Sequence, residues 1–172
     1  EKANIVANNL IDRGIKTGDS VALLLPRESC FFACLFGVNK AGAAFIPCDP
    51  QYPADRINHI IVDSEASFII TTNDKLADYP AYKAIDVADI LTGSNTENPD
   101  VYMCDRAPTS KIYTSGSTGN PKGVLHEYGN LERCKESANY QGKEIFDQGE
   151  RFALAAPLNF VASTMVLSYA LY

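Results

Sequence analysis

The feature that most limits the fold is a repeated alternation between stretches of helical period and short apolar runs. "KANIVANNLIDRG" (2–14) places apolar side chains at positions 3, 5, 6, 10 and 11 and then reaches Gly14. That spacing predicts an amphipathic helix with a glycine stop. A turn at Gly18-Asp19 precedes an apolar strand over 20–25, which Pro26 ends. "ESCFFACLFGVNKAG" (28–42) predicts a second helix, "AAFIP" (43–47) a short buried strand, residues 54–63 a third helix, and "ASFIITT" (66–72) another strand. Strands that read as continuous apolar runs and alternate with helices belong to α/β folds, with a parallel sheet flanked by helices.

The pattern weakens after residue 72. One short strand near 83–85 and a helical turn near 87–91 are expected, then a polar loop over 93–108. "TSKIYTS" (109–115) and "KGVLHEY" (122–128) read as strands. Residues 129–141 read as a helix with Asn130 as N-cap. "RFALAAP" (151–157) reads as a strand and "VASTMVLSYALY" (161–172) as a final apolar helix. No internal repeat and no low-complexity tract is present.

Composition narrows the function classes. With Lys plus Arg at 15 and Asp plus Glu at 21, the formal charge is 15 − 21 = −6. Such a balance argues against a nucleic-acid partner, which needs clustered cations to neutralise phosphates. The apolar-leaning run "SCFFACLFGVNKAGAAFIP" is broken by Asn39, Lys40 and two glycines, so no membrane partner is expected. Five cysteines occur without a CxxC, and only two histidines could complete a metal site, so no residue is assigned to a metal. Cys30 and Cys34, four apart, are expected on one buried helix face, and the cysteine usage fits a reducing, cytoplasmic compartment. The chain starts on Glu1 and stops inside an apolar pattern, which reads as a fragment.

Between the strands at 109–115 and 122–128 lies "TSGSTGNPKG" (114–123), a stretch of backbone, hydroxyls and one cation. Gly116 and Gly119 allow close approach of a ligand to the main chain. Successive amides in such a turn form an anion-binding concavity. Thr114, Ser115, Ser117 and Thr118 add hydroxyl donors, and Lys122 adds a compact charge suited to phosphate. Neither familiar phosphate template fits. The Walker pattern fails at Pro121 and Gly123, and the dinucleotide pattern fails because only Gly116-x-x-Gly119 is present. A Gly/Ser linker is the bland alternative, but a linker needs neither flanking apolar strands nor Pro-Lys-Gly. These residues indicate phosphate binding without indicating which nucleotide.

"YTSGSTGNPKG" (113–123) resembles, without a gap, the phosphate-loop signature of the adenylate-forming superfamily of acyl-CoA ligases, luciferases and peptide-synthetase adenylation domains. "NKAGAAFIPCDPQYPADRINHIIVDSEASFIITT" (39–72) resembles the motif LKAGAAYVPLDPxYPxxR, followed by Asp-Ser, of adenylation domains in nonribosomal peptide synthetases. In that second stretch a scaffold role is expected: Asp49-Pro50 and Tyr52-Pro53 form turns, and Arg56 pairs with Asp63 or Asp55.

The resemblance implies that residues 1–172 are the N-terminal portion of an adenylation domain, the rest of the domain being absent. It implies that ATP and a carboxylic acid react in line at the α-phosphate, giving an acyl-adenylate and pyrophosphate. The acyl group then passes to the phosphopantetheine thiol of a carrier protein. Thr114, Ser115, Gly116, Ser117, Thr118 and Gly119 would wrap the β- and γ-phosphates, with Lys122 neutralising them and Mg²⁺ offsetting the charge. The family's adenine and ribose contacts, its metal-binding Glu and its C-terminal lysine have no counterpart here, so the chain alone is expected to be inactive.

Two positions depart from the family. "NFVAST" (159–164) stands where amino-acid-activating domains carry F-D-x-S, so Phe160 and Val161 become the candidate substrate residues. Valine cannot hold an α-ammonium. An aryl, hydroxy, keto or fatty acid substrate follows, unless the alignment slips by one or another carboxylate serves. Tyr128 stands where relatives often have His, with His126 two residues earlier. The nearest rival reading is a stand-alone acyl-CoA or aryl-acid ligase. A rival of another class is a non-catalytic nucleotide- or partner-binding module.

Overall fold

The computed structural model describes residues 1–114, 121–130, 133, 154–160 and 162–163. The chain forms α1 (Lys2–Asp12), β1 (Ser20–Leu24), α2 (Ser29–Lys40), β2 (Ala44–Cys48), α3 (Ala54–Asp63) and β3 (Phe68–Thr71). A 3₁₀ turn (Asn73–Asp78), β4 (Ala84–Asp86), α4 (Val87–Ile90), β5 (Pro108–Thr114) and β6 (Lys122–Glu127) complete the described elements. The strands form one sheet in the order β4-β3-β1-β2-β5-β6.

The first five strands are parallel, as the helix–strand alternation requires. The last one is not: β6 pairs antiparallel with β5. The expected parallel sheet flanked by helices thus carries one antiparallel edge strand, and the reason is chain length. Residues 115–121 connect the two strands, and a parallel crossover needs about a dozen residues or more.

Side chains along each strand alternate between two cores. Val21, Leu23, Phe45, Phe68, Ile70 and Ile112 face α1 and α2. Ala22, Leu24, Ile46, Cys48, Ile69 and Tyr113 face α3. This period of two follows from strand geometry and explains the continuous apolar runs, since both faces are buried. α1 and α2 approach most closely at Gly37, where an added Cβ would lie 2.5 Å from the Val6 side chain. Asn39, near the end of α2, donates to the carbonyls of Ala43 (3.0 Å) and Thr109 (2.7 Å), tying that helix to β5.

Other expectations shift in detail. Asn130 lies within helical residues 128–130 and so does not cap the helix; its side chain accepts from Arg133 instead. Of residues 151–157, expected as strand, 154–157 are irregular and 151–153 lie outside the described residues. Of the helices expected over 129–141 and 161–172, residues 131–132, 134–141, 161 and 164–172 lie outside the described residues. Cys34 is buried and Cys30 half-buried, in keeping with one inward helix face.

The topology creates a crevice at the carboxyl ends of β1 and β2. The chain leaves β1 for α2 on one face of the sheet and leaves β2 for α3 on the other. Where neighbouring connections diverge at the carboxyl ends of parallel strands, open α/β sheets place their ligands.

Candidate functional site at the carboxyl edge of the sheet

The β5–β6 hairpin carries the phosphate-loop motif to this edge. Tyr113 is opposite Gly123 and Thr114 opposite Lys122 in the ladder. Because β5 runs parallel to β2, Thr114 emerges at the same edge as the end of β2, and the returning β6 starts there with Lys122. Both Thr114 and Lys122 are exposed. Ser115, Gly116, Ser117, Thr118 and Gly119 lie outside the described residues. A hydroxyl and an ammonium side by side at the mouth of the loop suit a polyphosphate. A metal is a different matter: among the described residues, no group of three or more His, Cys, Asp or Glu could hold one.

Helix α3 supports both flanks of the hairpin. His59 Nε2 lies 3.1 Å from the Pro121 carbonyl oxygen, one residue before Lys122. The Tyr113 hydroxyl donates to Asp63 Oδ2 at 2.6 Å, one residue before Thr114. The Lys111 ammonium donates to the Ser64 carbonyl at 2.7 Å, satisfying an acceptor at the end of α3. Burial pushes the Tyr113 phenol well above its usual pKa, and the hydrogen bond and charge of Asp63 push it further. His126 is shifted the other way, down, by burial; its backbone carbonyl accepts from the Thr109 hydroxyl at 3.1 Å.

Beside the hairpin, a cavity of about 360 Å³ opens at the ends of β1 and β2. Leu25, Pro26 and Arg27 line it after β1, Asp49, Pro50 and Gln51 after β2, and Pro157, Leu158 and Asn159 from the later segment. Asn159 Nδ2 donates to the Tyr52 hydroxyl, so the segment before Phe160 rests on the turn leading into α3. Phe160 itself is 54% exposed, and Val161 lies outside the described residues.

The expected pairing of Arg56 with Asp63 or Asp55 is not found. The Arg56 guanidinium lies 4.0 Å over the Tyr52 ring, and its Nε has no hydrogen-bond partner among the described residues. Asp63 is engaged by Tyr113 instead. Sequence reasoning missed this contact, and missed His59 altogether. Both bonds join residues far apart in the chain, and nothing local marks them.

The whole of residues 1–172 matches the family described as AMP-binding enzyme. The chain belongs to the AMP-binding enzyme family. It is 39% identical over 164 residues to a dimodular nonribosomal peptide synthase of Bacillus subtilis (strain 168), covering 91% of this chain and 7% of that protein. Surfactin synthase subunit 1 of the same organism is 34% identical over 163 residues, covering 95% of this chain and 4% of that protein. The chain therefore spans less than a tenth of each of these relatives. Among solved structures, o-succinylbenzoate coenzyme A synthetase (MenE) of Bacillus subtilis, in complex with ATP and magnesium ion, superposes with a TM-score of 0.81 at 22% identity. That match covers 98% of this chain and 46% of the synthetase, and establishes a common fold. In this member of the AMP-binding enzyme family, no helix among the described residues is long and apolar enough to cross a membrane.

Proposed function

We propose that this chain is the N-terminal, phosphate-loop portion of an adenylation domain in a nonribosomal peptide synthetase. The whole enzyme would activate a carboxylic acid with ATP, release pyrophosphate and load the acyl group on the phosphopantetheine thiol of a carrier protein. The observation that carries this reading is the pairing of Thr114 with Lys122 at the carboxyl edge of the sheet, at the two ends of "TSGSTGNPK". Peptide synthetases at 34–39% identity support it over a stand-alone ligase.

In this reading the Lys122 ammonium neutralises the β- and γ-phosphates as charge builds on the departing pyrophosphate. Thr114 and the loop residues Ser115 to Gly119 hold those phosphates through hydroxyls and amides. Bound with ATP, Mg²⁺ supplies further neutralisation of the phosphates, and its protein ligands belong to the remainder of the domain. Phe160 and Val161 border the acid. Valine there favours an acid without an α-amino group. The compartment is cytoplasmic in this reading.

ATP–pyrophosphate exchange by the full-length enzyme, against amino, aryl and hydroxy acids, tests the reading, with Lys122→Ala as control. Exchange with a non-amino acid, weakened in the variant, supports both the adenylation chemistry and the role of Val161. Exchange with α-amino acids alone keeps the chemistry and removes the Val161 argument. No exchange with any acid overturns the reading in favour of a binding module.

A further inference from the structure

Glycine and small hydroxyl residues leave the backbone many conformations, and ordering them costs free energy when a ligand arrives. A loop held at both ends has fewer states to lose. In this chain one helix grips both ends. His59 and Asp63 lie one turn apart on α3, so they share a face of the helix. His59 Nε2 meets the carbonyl of Pro121, and Asp63 accepts from the hydroxyl of Tyr113.

The two gripped residues are the immediate neighbours of Lys122 and Thr114. Tyr113 also locks onto the strand that Lys122 opens. Tyr113 pairs with Gly123, and its ring sits where a Cβ on Gly123 would be, 2.9 Å from Cζ. The ring of Tyr113 is therefore wedged between α3 and β6, with its hydroxyl end on Asp63. Pro121 has no amide hydrogen and a fixed φ, so its carbonyl is its one main-chain hydrogen-bonding group. His59 engages that group.

We propose that His59 and Asp63 are positioning residues for the phosphate loop, holding Pro121 and Tyr113 so that Lys122 and Thr114 are set for a triphosphate before it binds. The proposal rests on the adenylation reading for the identity of the ligand, but not for the contacts. Neither side chain touches the substrate; each acts through the backbone or ring that it holds.

The test uses the full-length enzyme and the variants His59→Ala, His59→Gln and Tyr113→Phe. Dissociation constants for MgATP and for inorganic tripolyphosphate are measured by calorimetry without acid, and KM for ATP and for the acid are measured separately by exchange. His59→Ala is expected to weaken both anions by about fivefold, the worth of one neutral hydrogen bond, and to raise KM for ATP alike. KM for the acid should stay within about twofold, below the effect of that same single bond. A glutamine amide can donate as the imidazole does, so His59→Gln should recover most of the loss. Tyr113→Phe keeps the ring and loses the grip of Asp63; a weakening like that of His59→Ala is expected.

Unchanged anion binding in His59→Ala and Tyr113→Phe overturns the proposal and leaves the adenylation reading standing. So does an equal rise in both KM values with no recovery in His59→Gln, which is the mark of general scaffold damage. Weakened tripolyphosphate binding in the variants, with no exchange in the wild type for any acid, supports the proposal and overturns the adenylation reading. A wild type that binds neither anion overturns both.

Discussion

Tyr113 and Gly123 stand opposite each other in the hairpin, and the tyrosine ring occupies the space that any side chain at 123 would need: a Cβ there would lie 2.9 Å from Tyr113 Cζ. Glycine at 123 is thus required by packing. Gly123→Ala should cost about 1–3 kcal/mol through overpacking, seen as a lower denaturation midpoint. Pairing it with Tyr113→Leu, which shortens the side chain, should return part of that loss. An unchanged midpoint for Gly123→Ala would contradict the packing.

The Tyr113 phenol, raised by burial and by Asp63, makes stability depend on alkaline pH. A group whose pKa is raised in the fold contributes fully below its ordinary value, here about 10, and that contribution is lost as pH rises through the raised value. Denaturation between pH 9 and about 11.5, across the ordinary phenol range, should show a decline that Tyr113→Phe flattens. At neutral pH the same variant should cost about 1.5–3 kcal/mol for the lost hydrogen bond to a carboxylate.

The cysteines should separate by reactivity. Burial pushes the Cys34 thiol up to about 12, with the Cys30 charge a smaller cause, and burial pushes Cys48 up to about 12, offset in part by Arg56. Thiolates react, not thiols, and Cys104 is exposed. Mass spectrometry after iodoacetamide treatment at mild alkaline pH should find Cys104 labelled before Cys34 and Cys48, which stay protected until unfolding. Early labelling of Cys34 would mean that α2 is not packed as described.

Gly37→Ala should be among the most damaging small changes outside the site. Its Cβ would meet Val6 at 2.5 Å, with the Ala3 carbonyl at 3.0 Å, so α1 and α2 would have to separate. A cost of about 1–3 kcal/mol is expected from overpacking, with anion binding unchanged once the protein is folded.

Lys122→Ala should raise KM for ATP in the full enzyme by about 10–100-fold, as expected for loss of a charged partner. Exposed and without an ion pair among the described residues, Lys122 has no structural duty there that would lower the midpoint as well. A fall in stability as large as the loss of affinity would point to a scaffold role.

Much of the fold was legible. The two-faced apolar strands 20–24, 44–48 and 68–71 and the amphipathic helices between them state their own periods, because side-chain direction repeats every two or 3.6 residues regardless of the rest of the protein. The motif at 114–123 stood out for the same kind of reason: glycines, hydroxyls and one lysine are a local chemical statement. The antiparallel turn of β6 was readable in principle from the short connection, but strand direction is a relation between segments and the apolar pattern is blind to it.

Sequence alone determined the α/β class, the family and the residues that open and close the loop. Tertiary structure decided what those residues lean on. Arg56 stacks on Tyr52 rather than pairing with Asp63, whose Oδ2 accepts instead from the Tyr113 hydroxyl 50 positions away. His59 finds the Pro121 carbonyl 62 positions along. Side-chain spacing on a helix is set locally, whereas the partner across an interface is set by which strand the sheet order brings beside it, and that order is known only once the chain has folded.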